Sequence, residues 1–415
     1  MAMARRGLFY TFLSIYLRVS LGLSVTETTL LASLTMIANS VSQTLLWGKI
    51  SDRYQARTSL IVVGETIAAF GYVVIYFLHI HLLNTNSASA AAYSIIGGLS
   101  LLEFFWSMSN LGWSALISDL TTSQERGKLM SIISSIGGIG QIIGISVSGL
   151  FYNWGGEAGG FKNGILFFFA SGIMLASAAV ILLSMRYTDR VLPIRGTGKE
   201  TLKQNAVLPT SYSSRTFYWF LASTLVVGLG VYSILQIFIL YVELDSPIGA
   251  NPFDIAMIRN SASIAIIIAS LLAGPIADKI GRKNALGLGI ALTVVTPLLY
   301  GVAQNAMQMI VINSLSGVSM AFMSVVGYLV ASDLIPADRR GRLFGQYNAF
   351  TSISFGIAGT LIGGPIADYL INTGVAEAAA YKITFQVASS ISLVGIIMFA
   401  LKVKYARANP VFRDE

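Results

Sequence analysis

Gly274-Pro275-Ile276-Ala277-Asp278-Lys279-Ile280-Gly281-Arg282-Lys283 is a short charged stretch set between two long apolar runs. A weaker copy lies earlier. Gly48-Lys49-Ile50-Ser51-Asp52-Arg53-Tyr54-Gln55-Ala56-Arg57 keeps the order glycine, carboxylate, base and distal base, with Asp52 and Asp278 separated by 226 positions. A loop between membrane helices that occurs twice implies a chain built from two homologous halves.

Composition agrees with a membrane setting. Of 415 residues, 54% are hydrophobic and only 11% charged, and the mean hydropathy is +0.71, which excludes an ordinary soluble domain. The 27 Lys and Arg against 19 Asp and Glu do not make a nucleic-acid surface, because these bases fall between apolar segments instead of lining one polar face. No Cys is present, so disulfides and thiolate metal sites are excluded. Nothing at the N-terminus reads as a cleavable signal peptide.

Apolar runs of about 20 residues, enough to cross a bilayer, fall near 4–21, 28–48, 58–79, 91–117, 128–152 and 163–185. Six more lie near 215–242, 252–276, 284–302, 306–331, 343–370 and 380–403. The expected fold is therefore an all-α integral membrane protein of 12 transmembrane helices in two pseudo-symmetric six-helix bundles, residues 1–185 and 215–415. Segment 186–214, with Pro193, Gly196, Gly198 and Pro209, reads as a cytoplasmic linker. If both termini and the linker are cytoplasmic, 23 of the 27 Lys and Arg lie inside and only Arg18, Lys162, Arg259 and Lys382 do not, as the positive-inside rule requires.

A second landmark repeats. Ser118-Asp119-Leu120 followed by Glu125-Arg126-Gly127-Lys128 recurs as Ser332-Asp333-Leu334 followed by Arg339-Arg340-Gly341-Arg342, at an offset of 214. The first half is thus longer between the landmarks, and the excess is assigned to an outer loop around 79–92.

These residues resemble the major facilitator superfamily of secondary transporters, and the resemblance covers essentially the whole chain. Gly274, Asp278, Lys279, Gly281, Arg282 and Lys283 match the family's loop signature between the second and third helices of a half. Gly48, Asp52, Arg53 and Arg57 form a degenerate copy, with Gln55 and Ala56 where the family has Gly and Arg. The resemblance implies that these loops are latches on the cytoplasmic ends of the halves, with Asp119, Arg126, Asp333 and Arg340 on the partner loops. Read from the residues alone, the same bases serve equally as topology determinants.

Ionisable groups within apolar runs cost about 2.5 to 3.5 kcal/mol on insertion scales and usually face an aqueous cavity. Glu103, in the middle of the fourth run, is the candidate proton carrier; the alternative is a static partner for an arginine or hydroxyl on a neighbouring helix. An offset of 226 sets Arg6 opposite Tyr232 and leaves the first helix about eleven residues short at its start. On that alignment Arg5 and Arg6 reach a central cavity and suit an anionic solute; otherwise they are cytoplasmic flanks. Asp254 and Arg259 are read as interfacial or as an outer gate, and Glu65 as an inner-end partner for Arg53 or Arg57. The family's arrangement implies a cavity lined from the first, fourth, seventh and tenth helices, where Tyr10, Trp106, Tyr232, Gln236 and Asn313 are available.

Gly137, Gly138, Gly140, Gly144 and Gly149 in the fifth run, and Gly356, Gly359, Gly363 and Gly364 in the eleventh, permit close helix contacts. The fifth-run pattern resembles the antiporter motif of drug exporters, but Ile145 stands where that motif has proline, and the loop signatures of sugar porters are missing. No G-x-x-x-x-G-K-[ST] loop is present, and Gly138-Ile139-Gly140 lacks the third glycine and strand of a dinucleotide site. His79 and His81 have no Cys or nearby carboxylates and read as interfacial, not as metal ligands. The expectation is a non-enzyme without cofactor or metal: a monomeric multi-pass protein of the cell membrane, both termini cytoplasmic, moving a small organic solute with protons. A drug antiporter, an uncoupled facilitator and a membrane receptor are the alternatives.

Overall fold

The computed structural model describes residues 1–54, 57–85, 87–120, 123–188, 214–336 and 340–403, and among the described residues every regular element is helical. Ten helices are long and apolar enough to cross a membrane. The fifth, Ser123–Phe151, and the first, which runs as Ala2–Tyr10, Leu13–Ile15 and a π-turn Tyr16–Ser20, complete a set of twelve. The second is Val25–Ser51, the third Arg57–Asn84, the fourth Ala88–Leu120 and the sixth Ile165–Thr188. In the second half the seventh is Ser214–Ser233 with Leu235–Glu243, the eighth Pro252–Ile280, the ninth Arg282–Tyr300 and the tenth Ala306–Leu334. The eleventh runs as Arg340–Ala358, a π-turn Gly359–Gly363 and Gly364–Asn372, and the twelfth is Glu377–Lys402.

Local chemistry sets several of these ends. Ser24 and Glu27 form a capping box at the start of the second helix, and Asn251 with Asp254 forms another at the eighth, with Pro252 in the first turn; each satisfies backbone N–H groups that a helix start leaves unpaired. Asp254 thus caps the start of the eighth helix. Gly281 separates the eighth and ninth helices with φ +91, a conformation that favours glycine. The excess length of the first half is not in a loop. The third helix has 28 residues against 19 in the ninth, and the fourth has 33 against 29 in the tenth. The Ala-, Ser- and Leu-rich run 79–92 mostly continues the two helices, as its propensities favour.

Neighbours in one half recur in the other. The third packs on the fourth and sixth, the first on the fifth and the second on the fourth; the ninth packs on the tenth and twelfth, the seventh on the eleventh and the eighth on the tenth. The first and seventh helices break at Phe12 and Ile234, both near φ −105 and ψ 0. These breaks are 222 positions apart, one helical turn short of the 226 expected, so the same face is presented one turn along. Between the halves, the fifth meets the eighth and the second meets the eleventh.

Glycine makes these crossings close. A methyl group on Gly144 would strike the Ala4 carbonyl oxygen, one on Gly363 the Ser233 carbonyl oxygen, and one on Gly149 the Ala256 side chain. Such contacts are how helices associate where lipid removes the hydrophobic drive. Leu183, Leu271, Leu361 and Leu401 stand 65 to 71% exposed, a surface that only lipid tails accommodate.

Candidate functional site

The side carrying 48–57 and 274–283 is called here the motif side, and the opposite one the far side. Contacts between the halves gather towards the far side. Asp368 of the eleventh helix accepts hydrogen bonds from the Val25 and Thr26 backbone N–H groups, both at 2.8 Å, so a carboxylate of one half sits on the positive end of a helix in the other. Arg18 pairs with Glu377 at 3.0 Å, and Thr360 bonds Thr29 and Ser33 at 3.1 and 2.6 Å. Asn260 donates to Ser146 at 2.9 Å. Towards the motif side, a methyl group on Gly274 or Gly345 would meet nothing within 4 Å. Gly274 therefore holds no neighbour close in this arrangement.

At mid-depth the first half holds a buried polar cluster. Arg5 is 0% exposed and Glu103 5%. An Arg5 Nη donates to the Tyr72 hydroxyl at 2.6 Å and the other reaches Glu103 Oε1 at 3.4 Å. Tyr10 donates to the same oxygen at 3.3 Å, and Asn39 to Glu103 Oε2 at 3.0 Å. Gln43 donates in turn to Asn39 at 2.9 Å. The first and second helices thus meet the fourth at one carboxylate, which carries one opposing charge and two neutral donors, and the third joins through Tyr72 on Arg5. Tyr10, Asn39 and Gln43 are half-buried and Arg6 is exposed, so solvent reaches the cluster's edge.

Trp106 joins this cluster to a second carboxylate. Its ring lies 4.7 Å from the Arg5 guanidinium and 5.2 Å from that of Arg6, within cation–π range. Its indole N–H donates to Glu65 Oε1 at 3.2 Å, and Ser109 donates to the same oxygen at 2.7 Å. Glu65 is 1% exposed and Oε2 has no partner. Its hydrogen-bond partners are Trp106 and Ser109 of the fourth helix, which join it to the central cluster.

The second half contributes less charge. Tyr232 meets Phe355 edge-on at 5.0 Å, and Gln236 lies beside Gly359; the break at Ile234 falls between them, so the shared face expected of one continuous helix is interrupted. Asn313 is not available to a solute. It is 4% exposed, accepts from Tyr300 at 2.8 Å and donates to the Ile258 carbonyl at 2.6 Å, which makes it a packing residue between the eighth, ninth and tenth helices. His79 is buried, bonded to Tyr16 at 2.7 Å, and is a core histidine instead of an interfacial one.

In the second-half charged stretch, Arg282 binds Asp333 at 2.6 Å and lies 3.8 Å from Asp278. Lys283 donates to the Ala400 carbonyl at 3.0 Å, at the end of the twelfth helix, where a cation suits the helix dipole. Lys279 falls in the last turn of the eighth helix. In the first half Arg53 is exposed and Gly48 continues the helix beyond the π-turn 43–47. Side chains of Asp52, Arg57, Asp119, Arg126 and Arg340, and most of the 186–214 linker, lie outside the described residues.

Sequence reading missed Asn39, Tyr72, Asp368 and Glu377. Tyr72 carried a signal: it lies seven residues after Glu65, two turns along one helix face. Asp368 carried none, since only the tertiary fold brings it to residue 25.

A model of the Major Facilitator Superfamily matches residues 1–247 and 244–413. Multidrug resistance protein 2 of Bacillus subtilis is 25% identical over 330 residues, covering 78% of this chain and 76% of that protein. Among solved structures, a bacterial homologue of the human lysosomal transporter Spinster, inward-facing and occupied, superposes with a TM-score of 0.72 at 10% identity, covering 98% of this chain and 96% of that one. A bacterial homologue of the iron transporter ferroportin, also inward-facing, gives 0.69 at 14% identity, covering 97% and 96%.

Proposed function

Because the chain belongs to the Major Facilitator Superfamily, a multi-pass membrane transporter and not an enzyme, we propose that it is a proton-coupled secondary transporter of a small organic solute. On this reading it is a monomer of the cell membrane, with the motif side and both termini cytoplasmic, and residues 1–185 and 215–415 rock against each other about the linker 186–214. The observation that carries the reading is Glu103, a carboxylate at mid-depth whose one ion-pair partner among the described residues is Arg5 at 3.4 Å. A proton arriving through the half-exposed edge of Tyr10, Asn39 and Gln43 neutralises Glu103 and leaves Arg5 with the Tyr72 hydroxyl and the aromatic faces of Tyr10, Tyr72 and Trp106. Charge balance in the cavity then differs between the proton-loaded and proton-free states, and a solute that binds one state better shifts the equilibrium between the two openings.

The contacts near the far side and the open space around Gly274 support an arrangement closed outward and open inward. In that arrangement the Arg282–Asp333 pair holds the charged stretch within its own half, ready to meet the first half when the inner side closes. The experiment is uptake into proteoliposomes. Glu103→Gln abolishes accumulation driven by a pH gradient while solute exchange continues; undiminished accumulation rejects the assignment, and equilibration without accumulation in the unaltered protein makes it a facilitator. The Bacillus subtilis multidrug resistance relative favours drug export as the second reading.

A further inference from the structure

Charge in the interior does not balance. Glu103 answers Arg5 and Glu65 lies on the Trp106 indole, but Arg6, exposed and over the Trp106 ring, has no ion pair among the described residues. In the second half Arg259 has no ion pair among the described residues, and its Nε is buried without a partner. A guanidinium without an ion pair inside a membrane is costly, and such groups almost always face the bundle interior or a water-filled cavity.

Helical geometry gives the direction in which Arg259 looks. On the eighth helix, Ala256 and Asn260 face the fifth, through Gly149 and Ser146, and Ile258 and Ala262 face the tenth, through Asn313 and Gly317. Phe253, Met257, Ile264 and Ile268 form the exposed apolar side. At 3.6 residues per turn, Arg259 falls opposite that exposed side and between the two contact faces, towards the protein interior where the eighth helix meets the fifth of the other half.

Depth follows from register. Gly138 meets Ile267, Ser146 meets Asn260 and Gly149 meets Ala256 along the antiparallel fifth and eighth helices. On the first helix, Ala4 and Leu8 bracket Gly144, and Gly7 lies on Gln141. Arg6 is therefore level with the stretch of the eighth helix one turn on the motif side of Arg259, a difference of roughly 5 Å at 1.5 Å per residue.

We propose that Arg6 and Arg259 grip the oxyanion head group of the solute from opposite halves, so that the transported molecule is an organic anion bearing a carboxylate, phosphate or sulfonate. Its organic body then lies against the Trp106 and Tyr232 rings. This rests on the transport reading above but not on its proton coupling. Oxyanions take charge-assisted, bidentate bonds from guanidinium, and two such groups on different halves let binding report on whether the halves are together.

The test is equilibrium binding to the purified full chain in detergent, with no gradient, read as a shift in thermal unfolding. Probes are benzoate, citrate, glycerol 3-phosphate and a naphthalene sulfonate, with ethidium and tetraphenylphosphonium as cations. At least one anion raises the unfolding temperature saturably; Arg259→Gln and Arg6→Gln each weaken it at least about ten-fold, the loss expected for one charge-assisted contact, and Arg259→Lys recovers part. Without ligand, Arg259→Met unfolds at a higher temperature than the unaltered chain, since it removes an uncompensated charge. Stabilisation by the cations alone, by none of the four anions, or by an anion that both glutamine variants bind unchanged, overturns the proposal. Anion binding together with undiminished gradient-driven uptake by Glu103→Gln would sink the coupling reading and leave this one standing.

Discussion

Removing both members of the Arg5–Glu103 pair should cost less than the two single removals added together. The pair is buried at 0 and 5% exposure and separated by 3.4 Å, where unit charges attract by about 5 kcal/mol at an effective dielectric of about 20; much of that offsets the cost of taking both ions out of water. Arg5→Met leaves the Glu103 carboxylate with only the neutral donors Tyr10 and Asn39, and breaking a buried pair in this way costs about 3 to 5 kcal/mol. Glu103→Gln keeps an amide near those donors and leaves Arg5 its bond to Tyr72 at 2.6 Å and the Trp106 face at 4.7 Å. That cation–π contact is worth about 2 kcal/mol when desolvated, so the cost falls nearer 2 to 3 kcal/mol. Arg5→Met with Glu103→Gln leaves neither member of the pair behind as an unpartnered charge, and its loss should be at least about 2 kcal/mol less than the sum of the two singles. The assay is a double-mutant cycle from denaturant titration in mixed micelles. A coupling below about 0.5 kcal/mol, the usual error of additivity, refutes the view that Glu103 is held by the charge on Arg5.

Gly363→Val should separate the seventh and eleventh helices, because even a methyl group there strikes the Ser233 carbonyl; overpacking of this kind costs about 1 to 3 kcal/mol and lowers the unfolding temperature, whereas Gly274→Ala, inside the eighth helix and facing open space, does not lower it and gains up to about 1 kcal/mol of helix propensity. A loss in Gly274→Ala equal to that in Gly363→Val would contradict the packing described. Asp368→Asn should weaken the cap on the second helix by about 1 kcal/mol and loosen the far-side closure, seen as faster thiol labelling of Thr29→Cys in a chain that has no native cysteine. Unchanged labelling would mean that Asp368 does not hold the halves together.

The two bundles were legible because a repeated charged stretch and twelve apolar runs leave few other arrangements in lipid. Glu103 and Arg5 were legible singly, as charges where hydrocarbon should be, but their pairing was not, since residues 98 positions apart share no local pattern. Glu65 was assigned to the wrong neighbours for the same reason: position along a helix gives depth, whereas Trp106 and Ser109 come from another helix. Asn313 looked like cavity lining because a polar residue in an apolar run signals either packing or binding, and only its bonds to Tyr300 and Ile258 decide. The added length at 79–92 read as loop because polar residues interrupt it, yet helix propensity carried the third and fourth helices through most of it.

The central claim is that the two halves tilt about the mid-depth cluster, closing one side as the other opens. Double electron–electron resonance tests it with two spin-labelled pairs in the cysteine-free chain: Lys49→Cys with Gly345→Cys across the motif side, and Trp154→Cys with Phe253→Cys across the far side, all four exposed. Between the unaltered protein and Glu103→Gln, which mimics the proton-loaded state, the account requires the two distance distributions to shift in opposite directions. Distributions that stay fixed, or that lengthen together on both sides, would contradict it.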